Sequence, residues 1–268
     1  MVHTPNGIPL RGSAFVVTGG ASGLGRAAAE HLAKQGAKVA LWDMNEDNGA
    51  EAVEAIGKDR AMFAKVDVTS EESVTSALEA TIERFGCIRG VVNSAGVAAA
   101  MLTVGKKDDR EPHPLDIYEN VLRINLTGTF NVCRLAAAAM SRNEPLGDAG
   151  ARGVLVNVAS LAGYEGQQGQ VAYAASKGGV IGMAKPMARD LGQFGIRVVV
   201  IAPGTIETPM AQFMRPKVRA ALLHQQAWPK EKLGDPEAFA HMCGAIIENE
   251  FWNGTTVRLD GGAMLAKL

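Results

Sequence analysis

Apolar positions fall into two rhythms that alternate from one end of the chain to the other. Short, nearly unbroken apolar and β-branched runs stand at 14–18 (AFVVT), 38–43, 61–68, 88–96, 153–160, 196–204 and 255–262. Between them, at 23–36, 46–57, 70–86, 116–142, around 171–185 and 235–248, apolar residues recur every three or four positions. The second rhythm predicts helices, and the first predicts strands buried on both faces. Gly36 and Gly86 stop two of the helices, and Ser70 followed by Glu71 and Glu72 resembles a capping box. Strand–helix alternation of this kind predicts an α/β fold, a doubly wound parallel sheet of seven strands with helices on both faces. No Pro/Gly/Ser-rich linker interrupts it, so the chain reads as one domain over 1–268. The stretches 97–115, 143–152 and 205–234 read as irregular. The last follows the carboxyl end of a strand, where such sheets bind ligands, and is the expected substrate loop.

Composition narrows the partners. The 268 residues are 47% apolar and 21% charged, with a net charge of -1, which gives no footing for nucleic acid or an anionic membrane. No apolar stretch approaches the roughly 20 residues that span a bilayer. The N-terminal MVHTPNGIPLRGSAFVV has neither the basic-then-apolar layout of a secretory leader nor the Arg and Ser of a transit segment, and the cytoplasm is the expected compartment. Cys87, Cys133 and Cys243 are far apart without CxxC spacing, as reduced structural thiols are. The histidines form no HxxxH or HExxH pair, so no metal site is expected.

The turn TGGASGLG (18–25) joins the first strand to the first helix. Gly19, Gly20, Gly23 and Gly25 let backbone approach a pyrophosphate, and the helix start offers N–H groups and a positive dipole. In that context the turn predicts a Rossmann-type dinucleotide site. Asp43 ends the second strand, where a carboxylate accepts from the adenosine ribose hydroxyls. Met44 and Asn45 follow it, and no adjoining cation awaits a 2′-phosphate, so NAD is expected rather than NADP. Asp67 and Val68, and Asn93, Ser94, Ala95 and Gly96 in NSAG, end the next two strands and would rim the adenine and ribose pocket. Taken one by one, these stretches also read as a tight connection, a solvated acid and plain turn chemistry.

In VAYAASKGGVIGMAK (171–185), Tyr173 and Lys177 lie one helical turn apart on one face. A phenol ionises near pH 10, so a base at neutral pH needs about 4 kcal/mol of preferential stabilisation of its phenolate, which a neighbouring ammonium can supply. The bland alternative is a packed ring beside a lysine that snorkels to water. Ser160 ends the preceding strand and points a hydroxyl toward the same crevice. Asn125 lies in mid-helix, where Asn is a poor helix former; it reads as a local bend or as a water-mediated support for the lysine.

Together TGGASGLG, NSAG, Asn125, Ser160, YAASK, Pro203–Gly204 and RLDGG (258–262) resemble the short-chain dehydrogenase/reductase family over nearly the whole chain. The resemblance implies strand order 3-2-1-4-5-6-7, a nicotinamide cofactor and, commonly, a homotetramer. It implies Tyr173 as general acid/base, with Lys177 lowering its pKa and holding the nicotinamide ribose. Ser160 would hydrogen-bond the substrate oxygen and Asn125 would maintain a proton relay. Stretches 130–145, 164–179, 201–210 and 233–262 are similar to the type-2 3-hydroxyacyl-CoA dehydrogenase subgroup, which implies NAD and short hydroxyacyl-CoA or other secondary-alcohol substrates. That likeness adds Ser22, Leu24, Asp67, Val68, Ser94, Ile206 and Thr208 as cofactor contacts. Three alternatives stay open. Aryl, alicyclic or steroid alcohols would suit the apolar MAQFM (210–214), and a 3-oxoacyl-carrier-protein reductase would normally prefer NADPH, against Asp43. A non-catalytic NAD-binding sensor would be free to lose the four polar residues that are intact here.

Overall fold

Seven strands pair in parallel in the order β3-β2-β1-β4-β5-β6-β7. They are β1 (Ala14–Thr18), β2 (Lys38–Asp43), β3 (Ala61–Lys65), β4 (Gly90–Asn93), β5 (Gly153–Val158), β6 (Ile196–Pro203) and β7 (Thr255–Leu259). The computed structural model describes residues 6–106, 110–212, 214 and 216–264. The strands β1, β4, β5 and β6 are buried along their whole length, as unbroken apolar runs require.

Helices cover both faces of the sheet. On one side lie α1 (Gly23–Lys34), α2 (Glu46–Ile56) and α9 (Pro236–Glu248), packed through Leu32, Ala52 and Phe239. The other side carries α3 (Glu71–Phe85), α4 (Leu115–Leu122), α5 (Thr129–Met140) and α6 (Val171–Gly192), packed through Val74, Val132 and Met187. The chain joins this fold before residue 13. Gly7 and Ile8 donate to the carbonyls of Glu248 and Ile247 at the end of α9, and Ile8 is fully buried. Buried Arg197 in β6 donates to Ile246, Ile247 and Trp252 carbonyls, so α9 ends on satisfied groups.

Four sequence expectations are corrected. The strand expected over 61–68 leaves the sheet after Lys65, because Asp67 turns the chain by accepting from Thr69 and bonding Ser73 through its own N–H. Ser70 caps α3 by accepting from Ser73 N, but residue 73 is Ser and the return bond of a full capping box is missing. The helix expected over 116–142 contains a π turn at Arg123–Gly128 between α4 and α5. Finally, 205–234 is not wholly irregular. It holds α7 (Pro209–Gln212) and α8 (Pro216–Gln225), each opened by a proline, which suits the first helical turn but reads as a breaker in sequence. Phe213 of the apolar MAQFM lies outside the described residues.

All three cysteines are free. Burial pushes the Cys133 thiol up to about 12 and raises Cys243 as well, while Cys87 is half-buried. Thiolate is the reactive form. Iodoacetamide at pH 8 should therefore label the native protein at Cys87 alone and the urea-unfolded protein at all three positions, as read by peptide mass. Native labelling at Cys133 would contradict this packing. Among the described residues there is no metal-ligating cluster, and no helix is long and apolar enough to cross a membrane.

Candidate active site

The carboxyl ends of β1, β4, β5 and β6 form the edge of a crevice, since Thr18 pairs with Asn93 and Asn93 with Asn157. The Gly-rich turn leaves β1 here. Gly19 has φ +64°, and a Cβ on it would stand 2.9 Å from the amide nitrogen of Ala95. A Cβ on Gly25 would stand 2.2 Å from the Gly19 carbonyl oxygen. The turn is thus folded flat on α1 and pressed against the NSAG segment. Ser94 and Ala95 both donate to the Thr18 hydroxyl, each at 3.1 Å. Ser22 precedes α1 without a side-chain cap bond, and the first turn holds no acid, so the N–H groups of Gly23, Leu24 and Gly25 face an anion-accepting position.

Asp43 braces this turn: Oδ2 accepts from Ala21 N at 3.1 Å and Oδ1 from Asn45 N at 3.0 Å. Among the described residues no Arg or Lys pairs with it. Thr69 donates twice to Asp67 and holds its carboxyl below the usual range. The Val68 carbonyl accepts from Asn131. Opposite, Gly204 N donates to Leu259 O, so β6 turns at Pro203–Gly204 against the end of β7. Ile206 is bridged to Gly234, and the Thr208 side chain comes within 3.7 Å of where a Cβ on Gly23 would be. Asn93 differs from the rest. Its side chain turns into the sheet, donating to Asn157 Oδ1 at 2.9 Å and lying 3.2 Å from Cys133 Sγ, which leaves only its backbone for the crevice.

The opening turns of α6 carry the second half of the site. Lys177, 5% exposed, donates to the Val158 carbonyl at 2.8 Å, with Nζ 5.8 Å from the Tyr173 ring centre. The Ser160 hydroxyl hydrogen-bonds the Tyr173 phenol and accepts from Ala162 N. Asn125, fully buried in the π turn, clamps Val97 by donating to its carbonyl and accepting from its N–H. It also donates to Ser176 Oγ at 3.0 Å, and Ser176 donates on to Tyr173 O. A Cβ on Gly96 would lie 3.1 Å from Asn125 Oδ1 and 3.6 Å from Lys177 Nζ, so NSAG ends directly over this cluster.

Burial dominates the electrostatics. It pushes Lys177 down to about 8 and raises Tyr173, against the smaller opposing effect of the Ser160 bond. The sequence suggests Lys177 as the group that lowers Tyr173. In this structure the ammonium is committed to Val158 O, with Nζ 5.8 Å from the centre of the Tyr173 ring. Without further positive charge, the phenol therefore stays protonated at neutral pH.

The structure thus gathers Asn125, Ser160, Tyr173 and Lys177 at one point and ranges the glycine turn, Asp43 and the NSAG and Pro203–Thr208 segments along the same crevice. Sequence reading missed Thr18, Thr129 and Ser176. Ser176 is fully buried, and its place directly before Lys177 is the signal that could have found it. Thr129 stands four residues after Asn125, and its hydroxyl donates to the Asn125 carbonyl at 2.7 Å.

Comparison with known proteins adds three findings. The model of the short chain dehydrogenase family matches residues 13–219. The 3-hydroxyacyl-CoA dehydrogenase type-2 of Bos taurus is 48% identical over 252 residues, covering 94% of this chain and 95% of the relative, and that of Homo sapiens is 47% identical with the same coverage. A crystal structure of 3-hydroxyacyl-CoA dehydrogenase type-2 from Mycobacterium avium superposes with a TM-score of 0.86 at 40% identity, covering 95% of this chain and 96% of that one.

Proposed function

The chain belongs to the short-chain dehydrogenase family, and on that premise we propose that it oxidises short 3-hydroxyacyl-CoA thioesters reversibly with NAD. The observation that carries the chemistry is the cluster of Ser160 and Tyr173 with the buried Lys177 and Asn125, beside an uncapped, glycine-lined helix start. The thioester is supported by the names of the relatives, and NAD over NADP by an Asp43 that pairs with no Arg or Lys among the described residues.

The residues present fit a dinucleotide. The turn, which Gly25 lets pack on the Gly19 carbonyl, suits a pyrophosphate at Gly19, Ser22, Gly23, Leu24 and Gly25. Asp43 suits the adenosine ribose. Asp67, Val68 and the backbone of Asn93, Ser94, Ala95 and Gly96 suit the adenine side. Pro203, Gly204, Ile206 and Thr208, with Tyr173 and Lys177, suit the nicotinamide side. NAD, when bound, supplies the hydride acceptor and a positive charge near the phenol.

The chain's own groups manage the proton. Ser160 donates to the substrate oxygen and holds it at the Tyr173 hydroxyl. The phenolate takes the carbinol proton in oxidation, and the phenol returns it in reduction. Lys177 adds its positive charge beside the Tyr173 ring and so favours the phenolate. Asn125 fixes Val97 and, through Ser176, the first turn of α6, so that these groups need no rearrangement during reaction. We further propose a cytoplasmic homotetramer. It is supported by three free thiols and by Phe130 on α5 and Val171 on α6, large apolar residues left on the surface of the two helices whose apolar residues cover more than one face.

The test is loss of absorbance at the NADH band with acetoacetyl-CoA, run with NADH and NADPH in parallel. The expected result is a kcat/KM with NADH at least about tenfold above NADPH, a difference of about 1.4 kcal/mol. Preference for NADPH would overturn the cofactor assignment. Turnover confined to simple ketones or steroids would overturn the thioester and keep the mechanism.

A further inference from the structure

We infer that Arg258 is a positioning residue: by bridging Glu165 to Asp260 it fixes the turn that carries Ser160 against the turn that backs the nicotinamide side of the crevice. This deepens the dehydrogenase reading above and rests on it. Arg258 lies near the end of β7 and pairs with Ala202 of β6. Its guanidinium forks to three partners. Nη1 donates to Glu165 Oε1 at 2.8 Å, Nε to Asp260 Oδ2 at 2.7 Å and Nη2 to the Ala263 carbonyl at 3.0 Å. Its carbon centre stands 5.7 Å from the centre of the Tyr164 ring, a cation–π distance. All three nitrogens are engaged, so the planar group is held in one orientation.

Each end of the bridge leads to one half of the site. Glu165 belongs to a compact turn that begins at Ser160: Gly163 N donates to Ser160 O, and Tyr164 N and Glu165 N both donate to Leu161 O. A Cβ on Gly163 would stand 2.9 Å from the Lys177 carbonyl carbon, so this turn rests on α6 at Lys177. Asp260 leads to the other half. A Cβ on Gly204 would stand 2.8 Å from Asp260 Cα, so the Pro203–Gly204 segment lies flat on Asp260. Asp260 Oδ1 accepts from Gly262 N, and the Gly261 carbonyl accepts from Ala227 N and Trp228 N, which seats the end of the 205–234 segment on the same turn. β6 runs between the two halves, and strands two apart stand about 10 Å from each other. The sheet ladder fixes the strands; Arg258 ties together the turns beyond their ends. The reacting carbon must face the nicotinamide side while its oxygen sits at Ser160 and Tyr173, so the spacing of the two halves enters kcat rather than binding. The bridge adds little to stability, because the Arg258 and Glu165 side chains are 39% and 30% exposed.

The experiment follows acetoacetyl-CoA reduction by NADH in wild type, Arg258→Met, Arg258→Lys, Glu165→Ala and the Arg258→Met/Glu165→Ala double variant, with kcat expressed per NADH site titrated by fluorescence. In Arg258→Met and in Glu165→Ala the kcat per site should fall about tenfold, as misplaced reacting groups require. The NADH Kd should stay within about twofold of wild type, a split that loss of folded protein would not produce. Both substitutions break one bridge, so the double variant should be no slower than the slower single variant. Arg258→Lys keeps the charge without the fork and should recover part of the loss. The thermal midpoint should fall by less than about 4 °C. A kcat per site within twofold of wild type in both single variants, or losses that multiply in the double variant, would overturn the bridge alone. Glu165→Ala, which shortens one half-exposed side chain, decides the matter if Arg258→Met does not fold. Failure of the wild type itself to turn over acetoacetyl-CoA would overturn the function proposed above, and the role of the bridge with it.

Discussion

Tyr173→Phe is expected to lower kcat for acetoacetyl-CoA reduction by about 10²–10⁴-fold, the worth of a positioned general acid/base. The substitution removes one hydroxyl and keeps the ring that packs beside Lys177. NADH affinity, read by fluorescence titration, should move less than about threefold, because the lost contact is one hydrogen bond at most. An interaction made only in the transition state lowers kcat and kcat/KM together, and that is the pattern expected here. A variant that keeps more than about a tenth of wild-type kcat removes Tyr173 from the reaction. In that case Ser160, the other hydroxyl at the phenol, becomes the proton donor to test.

Lys177→Met should abolish turnover and yet make the cofactor-free protein more stable at neutral pH. Burial lowers the Lys177 pKa from 10.5 to about 8. At 1.36 kcal/mol for each pH unit, the charged side chain then costs the fold about 3 kcal/mol. Methionine removes that cost but leaves Val158 O without its donor, worth about 1 kcal/mol, so a net gain of about 2 kcal/mol is expected at pH 7. The pH dependence has a definite sign. Below pH 8 lysine is protonated in both folded and unfolded chains, and the penalty is fully present. Between pH 8 and 10.5 the folded chain has lost the proton that the unfolded chain still binds, so wild-type stability rises relative to the variant. Cys133, Cys243 and Tyr173, whose ionised forms burial disfavours, act in the opposite direction in both proteins, so the difference between the two isolates Lys177. Urea unfolding at pH 7 and pH 10.5 measures it. Equal stabilities at pH 7 would mean that the ammonium is solvated and its burial is not costly.

Most of the architecture is legible in the sequence because it depends on local periodicity. The seven strands, the glycine turn between β1 and α1 and the single face of Tyr173 and Lys177 follow from runs of fewer than twenty residues. Features set by distant contacts are not. The π turn depends on Asn125 reaching Val97 and Ser176, which stand 28 and 51 positions away. The commitment of Lys177 depends on a backbone oxygen 19 positions earlier, with no side chain to signal it. Asn93 looked like a crevice residue by its place at a strand end; its burial against Asn157 and Cys133 follows from cross-strand register, which a single strand does not carry. The helices α7 and α8 were hidden by their opening prolines.

The wide turn at Arg123–Gly128 amounts to one surplus residue in an otherwise regular helix. One residue is worth about 100° of rotation in an α-helix, so the turn sets the phase of α4 against that of α5. A chain shortened by one residue there would gain an unbroken ladder of hydrogen bonds. It would also swing Asn125 away from Val97 and Ser176 and leave Gly96 without the oxygen beneath it. Substitution can repair neither defect, since no side chain restores a lost phase. Apart from Asn125 and Gly128, this stretch therefore tolerates changes of residue type far better than any change of length. Among related chains, length at this point should separate members that keep the chemistry from members that keep only the fold.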